Sequence, residues 1–151
     1  MAEYREGSTD RSTFPLPDVD WPPTAPYWAG AAAHQLRIPF CDACGASNWY
    51  PEERCPTCGG TAFTWRAMSG RGRLFSWVVV HRPFLAQYAG DVPFVPALVE
   101  LEEAPEVRVP TRVVDCDPAA LAFDQPVRVV FRPLAFTGVE GEVTAPFFTP
   151  A

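Results

Sequence analysis

Four cysteines have the types and the spacing to do chemistry. Cys41-Asp42-Ala43-Cys44-Gly45 is followed by Cys55-Pro56-Thr57-Cys58-Gly59, two Cys-x-x-Cys pairs each closed by glycine. Such a pair curls into a tight knuckle, and the glycine supplies the positive φ that the knuckle needs. Four thiolates gathered this way suit one tetrahedral zinc ion, because soft sulfur donors favour it. With all four ligands supplied by protein, no coordination position is left for substrate, so the ion reads as structural rather than catalytic. A redox dithiol or an iron-sulfur centre is the weaker reading.

The remaining reactive residues do not assemble into a catalytic set. Ser69-Gly70-Arg71-Gly72-Arg73 invites a phosphate-loop reading, yet it lacks the Lys-Ser/Thr of a P-loop and precedes a strand rather than a helix. It is better read as a glycine-permitted bend, with Arg71 and Arg73 kept as possible contacts for an anionic group. His81 and Arg82 close the first long strand and are kept as possible contacts to a partner's substrate channel. Cys116 sits in an apolar strand context without an acid-base partner and reads as a small packed side chain. The chain has two histidines and no lysine, which excludes a lysine Schiff base and leaves no material for a Ser-His-Asp set. Glu100, Glu102 and Glu103 fall at strand ends and read as solvated.

The elements that must position these residues follow from periodicity and turn signals. Residues 1–25 read as a flexible N-terminal arm, polar apart from Phe14, Leu16, Val19 and Trp21. Residues 26–40 form a helical lead-in: Thr24 stands near the N-cap, Pro26 suits the first turn, and a helix is predicted from Pro26 to Leu36. Its apolar face comprises Trp28, Ala31, Ala32 and Leu36, and His34 is predicted as a solvated helix residue. So short a helix needs a partner for its face, which makes Tyr27 and Trp28 candidates for docking. Residues 41–66 are the ribbon, with Asn48 to Pro51 as an extended segment shielding the metal and Phe63 to Trp65 as a further short strand. Residues 67–151 carry strands predicted at Leu74 to His81, Ala97 to Leu101, Val107 to Val114, Val127 to Phe131 and Gly141 to Phe147. A helical turn capped by Asp117 falls between the third and fourth. Three meandering strands, a helical turn and two further strands are the order of an OB fold, so the fold class is mainly β: helix, zinc ribbon, then a five-stranded barrel.

Composition narrows the partners. The net charge is −6 and every one of the twelve basic residues is arginine, a poor basis for gripping a nucleic-acid backbone. No stretch reaches the roughly 18 continuous apolar residues of a membrane helix, and the N-terminus has no apolar run. A cytoplasmic location is expected, where paired Cys-x-x-Cys motifs are metal ligands rather than disulfides.

Five separated motifs then point to a family. Pro-Tyr-Trp-x-Gly (Pro26 to Gly30), the two knuckles, Ser-Gly-Arg-Gly (Ser69 to Gly72), Val-Val-His-Arg-Pro (Val79 to Pro83) and Val-Asp-Cys-Asp-Pro (Val114 to Pro118) occur in this order. Together they resemble the bacterial and archaeal proteins with a rubredoxin-like zinc ribbon followed by an OB fold, long catalogued as a domain of unknown function. The resemblance runs from about Pro17 to the end. It departs at Phe123-Asp124-Gln125-Pro126, where relatives often have a Gly-Met turn. It implies a non-catalytic accessory subunit, hetero-oligomeric with a thiolase-fold enzyme or a lipid-transfer-protein-like aldolase of steroid side-chain or lipid degradation. A hot-dog-fold enoyl-CoA hydratase is a further implied partner. In such complexes the lead-in and ribbon dock on the partner, and the OB module lies near the acyl-CoA path. Two other functions stay open: a stand-alone acyl-CoA carrier using Arg71, Arg73 and Arg82, and a single-stranded nucleic-acid-binding OB protein, which charge disfavours.

Overall fold

A computed structural model describes residues 12–151. The arm expected over residues 1–25 therefore lies partly outside the described residues. The first helix, α1, spans Ala25–Ala32, with Pro26 in its first turn. Thr24 occupies the N-cap position, but its hydroxyl does not cap: it turns towards the Trp21 carbonyl at 3.5 Å.

The helix stops four residues short of the predicted Leu36. The Gly30 carbonyl accepts from the amides of both Ala33 and Gln35, and His34 adopts φ 56°, so the chain folds back on itself. Gly30 allows this return, since a Cβ there would stand 2.8 Å from the Gln35 carbonyl oxygen. His34 is exposed as predicted, but beyond the helix, where its ring stacks on Phe131 at 5.3 Å. Within the helix only Ala31 of the predicted stripe is buried, with Tyr27 and Gly30 beside it, and Ala32 faces solvent. Leu36 is buried from the lead-in to the next strand.

Strand β1 (Arg37–Cys41) pairs antiparallel with β2 (Phe63–Ala67), from Arg37 opposite Ala67 to Cys41 opposite Phe63. Asn48 to Pro51, predicted as an extended hairpin segment, is a loop instead. Its backbone serves the ribbon through one bond, from the Asn48 amide to the Pro39 carbonyl at 2.8 Å.

Five strands close the barrel: β3 (Arg71–Trp77), β4 (Val95–Leu101), β5 (Ala104–Val113), β6 (Pro126–Leu134) and β7 (Val143–Pro150). Their spatial order is β3-β4-β5-β7-β6, with β3 returning to β6. β5 meets β7 in parallel at Val113 and Phe148, and every other pairing in the barrel is antiparallel. This is the OB-fold order predicted from the sequence. The predicted helical turn is a 3-10 turn at Pro118–Ala120, where the Asp117 carboxylate accepts from the Ala119 amide at 3.0 Å. β3 starts three residues before the predicted Leu74 and ends at Trp77 rather than His81, and its pairing with β4 shifts between Leu74 and Ser76.

Leu74, Val99, Val109, Val127 and Phe148 fill the barrel. The same buried cluster continues without a break into Tyr27, Leu36, Ile38 and Phe40, so ribbon, lead-in and barrel share one core. Among the described residues no helix is long and apolar enough to cross a membrane.

Candidate metal centre and the comparisons

The metal centre is built by two copies of one backbone device. The Gly45 amide donates to the Cys41 carbonyl, and the Cys41 amide donates to Ala46. Fourteen residues on, the Gly59 amide donates to Cys55 and the Cys55 amide to Gly60, all four bonds at 2.8 Å. Gly45 and Gly59 take φ 74° and 77°, a conformation that costs other residues free energy. Gly60 is needed for a different reason: a Cβ there would press within 3.2 Å of Cys41 Sγ and 3.3 Å of Cys58 Sγ.

The donor set fits zinc. Sulfurs roughly 2.3 Å from a tetrahedral ion lie about 3.8 Å from one another. Here Cys41 and Cys58 are 3.5 Å apart, Cys44 and Cys55 are 3.7 Å apart, and all four sulfurs lie within 4.8 Å. Cys41 and Cys55 are buried while Cys44 and Cys58 reach the surface, which gives an ion an entry side. These four thiolates are the donor set for one structural zinc ion.

In the metal-free cluster the sulfurs differ in acidity. The Cys58 amide, helped by Thr57 and by the Cys44 and Cys41 sulfurs, overcomes desolvation and holds the Cys55 thiol at about 6. Cys58 receives the Gly60 amide, yet the sulfurs of Cys41 and Cys44 push it up to about 12. The stability linked to Cys55 ionisation is present above its ordinary value of 9.0 and is lost as pH falls through about 6. Bound zinc, which requires thiolates, adds in the same direction. Acidification of the zinc-loaded protein should therefore release one equivalent of zinc, read by a chromophoric chelator. Retention of the ion to below about pH 4 would contradict this expectation.

The other singled-out residues are not brought together. Arg71 bonds Glu102 at 2.9 Å, and Arg73 donates to the Asp124 carbonyl at 2.9 Å. Glu103 loses some solvent, but the Ser69 hydroxyl and amide still hold its carboxyl below the usual range. These contacts make the Ser-Gly-Arg-Gly stretch a clasp at the mouth of β3. Six residue steps along the strand, about 20 Å, separate Arg71 from Trp77, and His81 and Arg82 lie beyond it in an exposed loop. The three arginines of the carrier reading thus sit at opposite ends of one strand. Tyr27 is 7% exposed, packed edge-on against Trp28 and 5.1 Å from Trp49. Burial pushes its phenol well up, so this ring serves the chain's own core rather than a partner. Trp28 keeps part of its surface, beside a cleft of about 480 Å³ that it shares with Val19 and Glu142. Cys116 is half-buried between Asp115 and Asp117, where desolvation and both carboxylates raise its thiol.

One arrangement escaped sequence reasoning. The Arg112 guanidinium lies 4.5 Å from the Phe94 ring and within 5.8 Å of Tyr88 and Phe136, and it bonds Asp91 at 3.0 Å. Nothing local signals it, because the three rings come from segments scattered over about 50 positions.

Comparison with known proteins agrees with this geometry. Residues 28–64 match the family model described as the ChsH2 rubredoxin-like zinc ribbon domain, and residues 65–132 match the ChsH2 C-terminal OB-fold domain. The chain belongs to the ChsH2-type (DUF35) zinc-ribbon and OB-fold family. A "DUF35 domain-containing scaffold protein" of Methanocaldococcus jannaschii is 33% identical over 106 residues, 69% of this chain and 72% of that one. The "3-oxo-4,17-pregnadiene-20-carboxyl-CoA hydratase alpha subunit" of Mycobacterium tuberculosis is 39% identical over 108 residues, 72% of this chain. This family member spans only a third, 33%, of that subunit's length. Among solved structures, a chain of the "Ltp2-ChsH2(DUF35) aldolase" matches with a TM-score of 0.74 at 28% identity, over 89% of this chain and 98% of that one. A DUF35-family protein of Sulfolobus solfataricus shares the fold alone, with a TM-score of 0.59 at 11% identity.

Proposed function

We propose that this DUF35 chain is a non-catalytic accessory subunit of a thiolase-fold acyl-CoA enzyme, an aldolase or acyltransferase of steroid side-chain or lipid degradation. The observation that carries the reading is the likeness over 98% of a chain from a ChsH2-containing aldolase, at 28% identity. The site chemistry supports it from the other direction. The metal is closed by four protein ligands, and of the two histidines one stacks on Phe131 and the other lies alone in a loop. With no acid-base pair in reach of a nucleophile among the described residues, the chemistry belongs to a partner.

The lead-in supplies one docking surface, through the exposed parts of Trp21 and Trp28 beside the cleft at Val19. The barrel then lies near the partner's acyl-CoA path. The carrier reading is weaker, since Arg71 and Arg73 already hold Glu102 and the Asp124 carbonyl.

Co-expression with thiolase-fold acyl-CoA enzymes, beginning with any encoded beside its gene, is the test. The expected result is a stable hetero-oligomer on gel filtration, with carbon-carbon bond cleavage or acyl transfer found only in the complex. A chain that stays monomeric with every such enzyme, or that binds acyl-CoA by itself in calorimetry, would overturn the assignment.

A further inference from the structure

The connection between β3 and β4 carries the most exposed aromatic among the described residues. The side chain of Phe84 is wholly exposed, at 101%, and Leu85 beside it and Val78 at the loop's start also face solvent. A fully solvated phenylalanine forgoes the burial that favours folding, so nothing in this chain's own stability accounts for it.

The loop is nonetheless firmly seated. Val80 and Phe94 exchange backbone hydrogen bonds at 2.9 and 3.2 Å, closing the loop at its base. The Thr137 amide donates to the Gln87 carbonyl at 3.0 Å, and Tyr88 packs on Phe94 and Phe136. Beneath these rings Arg112 is held by Asp91. The buttressing comes from β5 and the segment before β7, so the tip is presented rather than left to wander, and Pro83 fixes one further dihedral immediately before Phe84. An exposed ring on an ordered mount loses little conformational entropy on binding, which is the property of an interface anchor.

Charge narrows the occupant. No aspartate or glutamate occurs between Glu53 and Asp91, so the tip itself carries only the positive charge of Arg82, in a chain whose net charge is −6. Arg82, directly before Pro83-Phe84-Leu85, has no ion-pair partner among the described residues. A second copy meeting this tip about a two-fold axis would set Arg82 against Arg82, like charges in close approach. A membrane surface needs a wider apolar face or several cations, and one Phe-Leu pair with a single arginine provides neither. What fits is a protein pocket, apolar at its floor and carrying carboxylates at its rim.

We propose that Arg82 to Leu85 is the anchor by which this subunit holds its catalytic partner, with Phe84 seated in an apolar pocket and Arg82 paired with an acidic rim. The inference rests on the accessory-subunit reading and adds to it the point of attachment.

The test uses the full chain with the co-expressed enzyme subunit. Phe84→Ala should weaken assembly about tenfold or more, as loss of a buried aromatic anchor does, while zinc content and thermal unfolding of the free chain stay unchanged. Arg82→Glu should weaken it too and reverse the salt dependence of the association rate. If the wild-type chain forms no complex, the functional reading and the anchor both fail. If the wild type assembles and Phe84→Ala assembles with the same affinity, the anchor alone fails. Equal weakening by Phe123→Ala, an exposed aromatic elsewhere on the barrel, would reduce the effect to general stickiness and overturn the assignment. Phe84-dependent self-association of the free chain, or Phe84-dependent pelleting with phosphatidylserine vesicles, would replace the partner pocket with another occupant.

Discussion

Cys41→Ser should leave the chain without its zinc and should destabilise the barrel as well as the ribbon. A structural zinc site contributes an apparent binding free energy on the order of 10 kcal/mol, comparable to the whole stability of an ordinary domain. If the ribbon were an independent module, that loss would stop at its edge. It does not, because Ile38 and Phe40 on β1 lie in the same buried cluster as Leu74, Val99 and Phe148 of the barrel. The Met68 amide also bonds the Leu36 carbonyl at 2.7 Å, and Ser47 bonds Glu106 across the boundary. Loss of the metal releases β1, and with it the Tyr27 and Leu36 packing that covers one side of the barrel. The expected result is zinc content near zero and a melting temperature lowered for the chain as a whole. Calorimetry should record one shifted and broadened transition, and chelation of the wild type should reproduce it. A barrel transition left at its original temperature after zinc is removed would mean the two parts do not share stability as their common core requires.

Gly72→Ala should be nearly as damaging, at a position with no metal and no charge. An added Cβ would stand 2.4 Å from the Glu100 carbonyl oxygen and 2.8 Å from a Val99 methyl. Gly72 is also where the barrel closes, paired with Leu101 on one side and Val127 on the other. Because the obstacle is backbone on a strand bonded to both neighbours, it cannot swing aside as a flexible side chain would. Relief requires β3 and β4 to part at the seam. A cost of about 3 kcal/mol, at the upper end of overpacking effects, is expected in denaturant unfolding. Zinc content should be unchanged, which separates this lesion from that of Cys41→Ser. A loss under about 1 kcal/mol would show that the seam yields more readily than its hydrogen bonds suggest.

These two positions show how differently the sequence exposed its features. The zinc centre was legible because each knuckle is local: four residues and a glycine carry the whole device, and the spacing of two such units names the metal. Strand order was legible for a related reason, since strands bounded by Gly and Pro, with a capped turn after the third, leave few arrangements other than an OB barrel. Gly72 was legible only as a glycine. Its role depends on Glu100, 28 residues away, and no periodicity reports that distance.

Helix α1 fell between these cases. Its start was marked by Thr24 and Pro26, but its end was set by a local return, with His34 in the left-handed region and the Gln35 amide on the Gly30 carbonyl, which no glycine at position 34 announced. The buried face kept Ala31 but exchanged Ala32 for Tyr27 and Gly30, which made Tyr27 core. Arg71 and Arg73 could have served a ligand on sequence grounds alone. Glu102 and the Asp124 carbonyl claim them because closing the barrel brings distant backbone and side chains alongside.

The sequence by itself determined the metal, its four ligands and the strand order, all of which reside in residue type and short spacing. Tertiary structure alone decided that ribbon and barrel are one core, that the clasp arginines are occupied, and that Phe84 is left wholly in water. Those depend on which distant segments meet, and in a barrel closed between strands β3 and β6 such meetings are set by the whole chain at once.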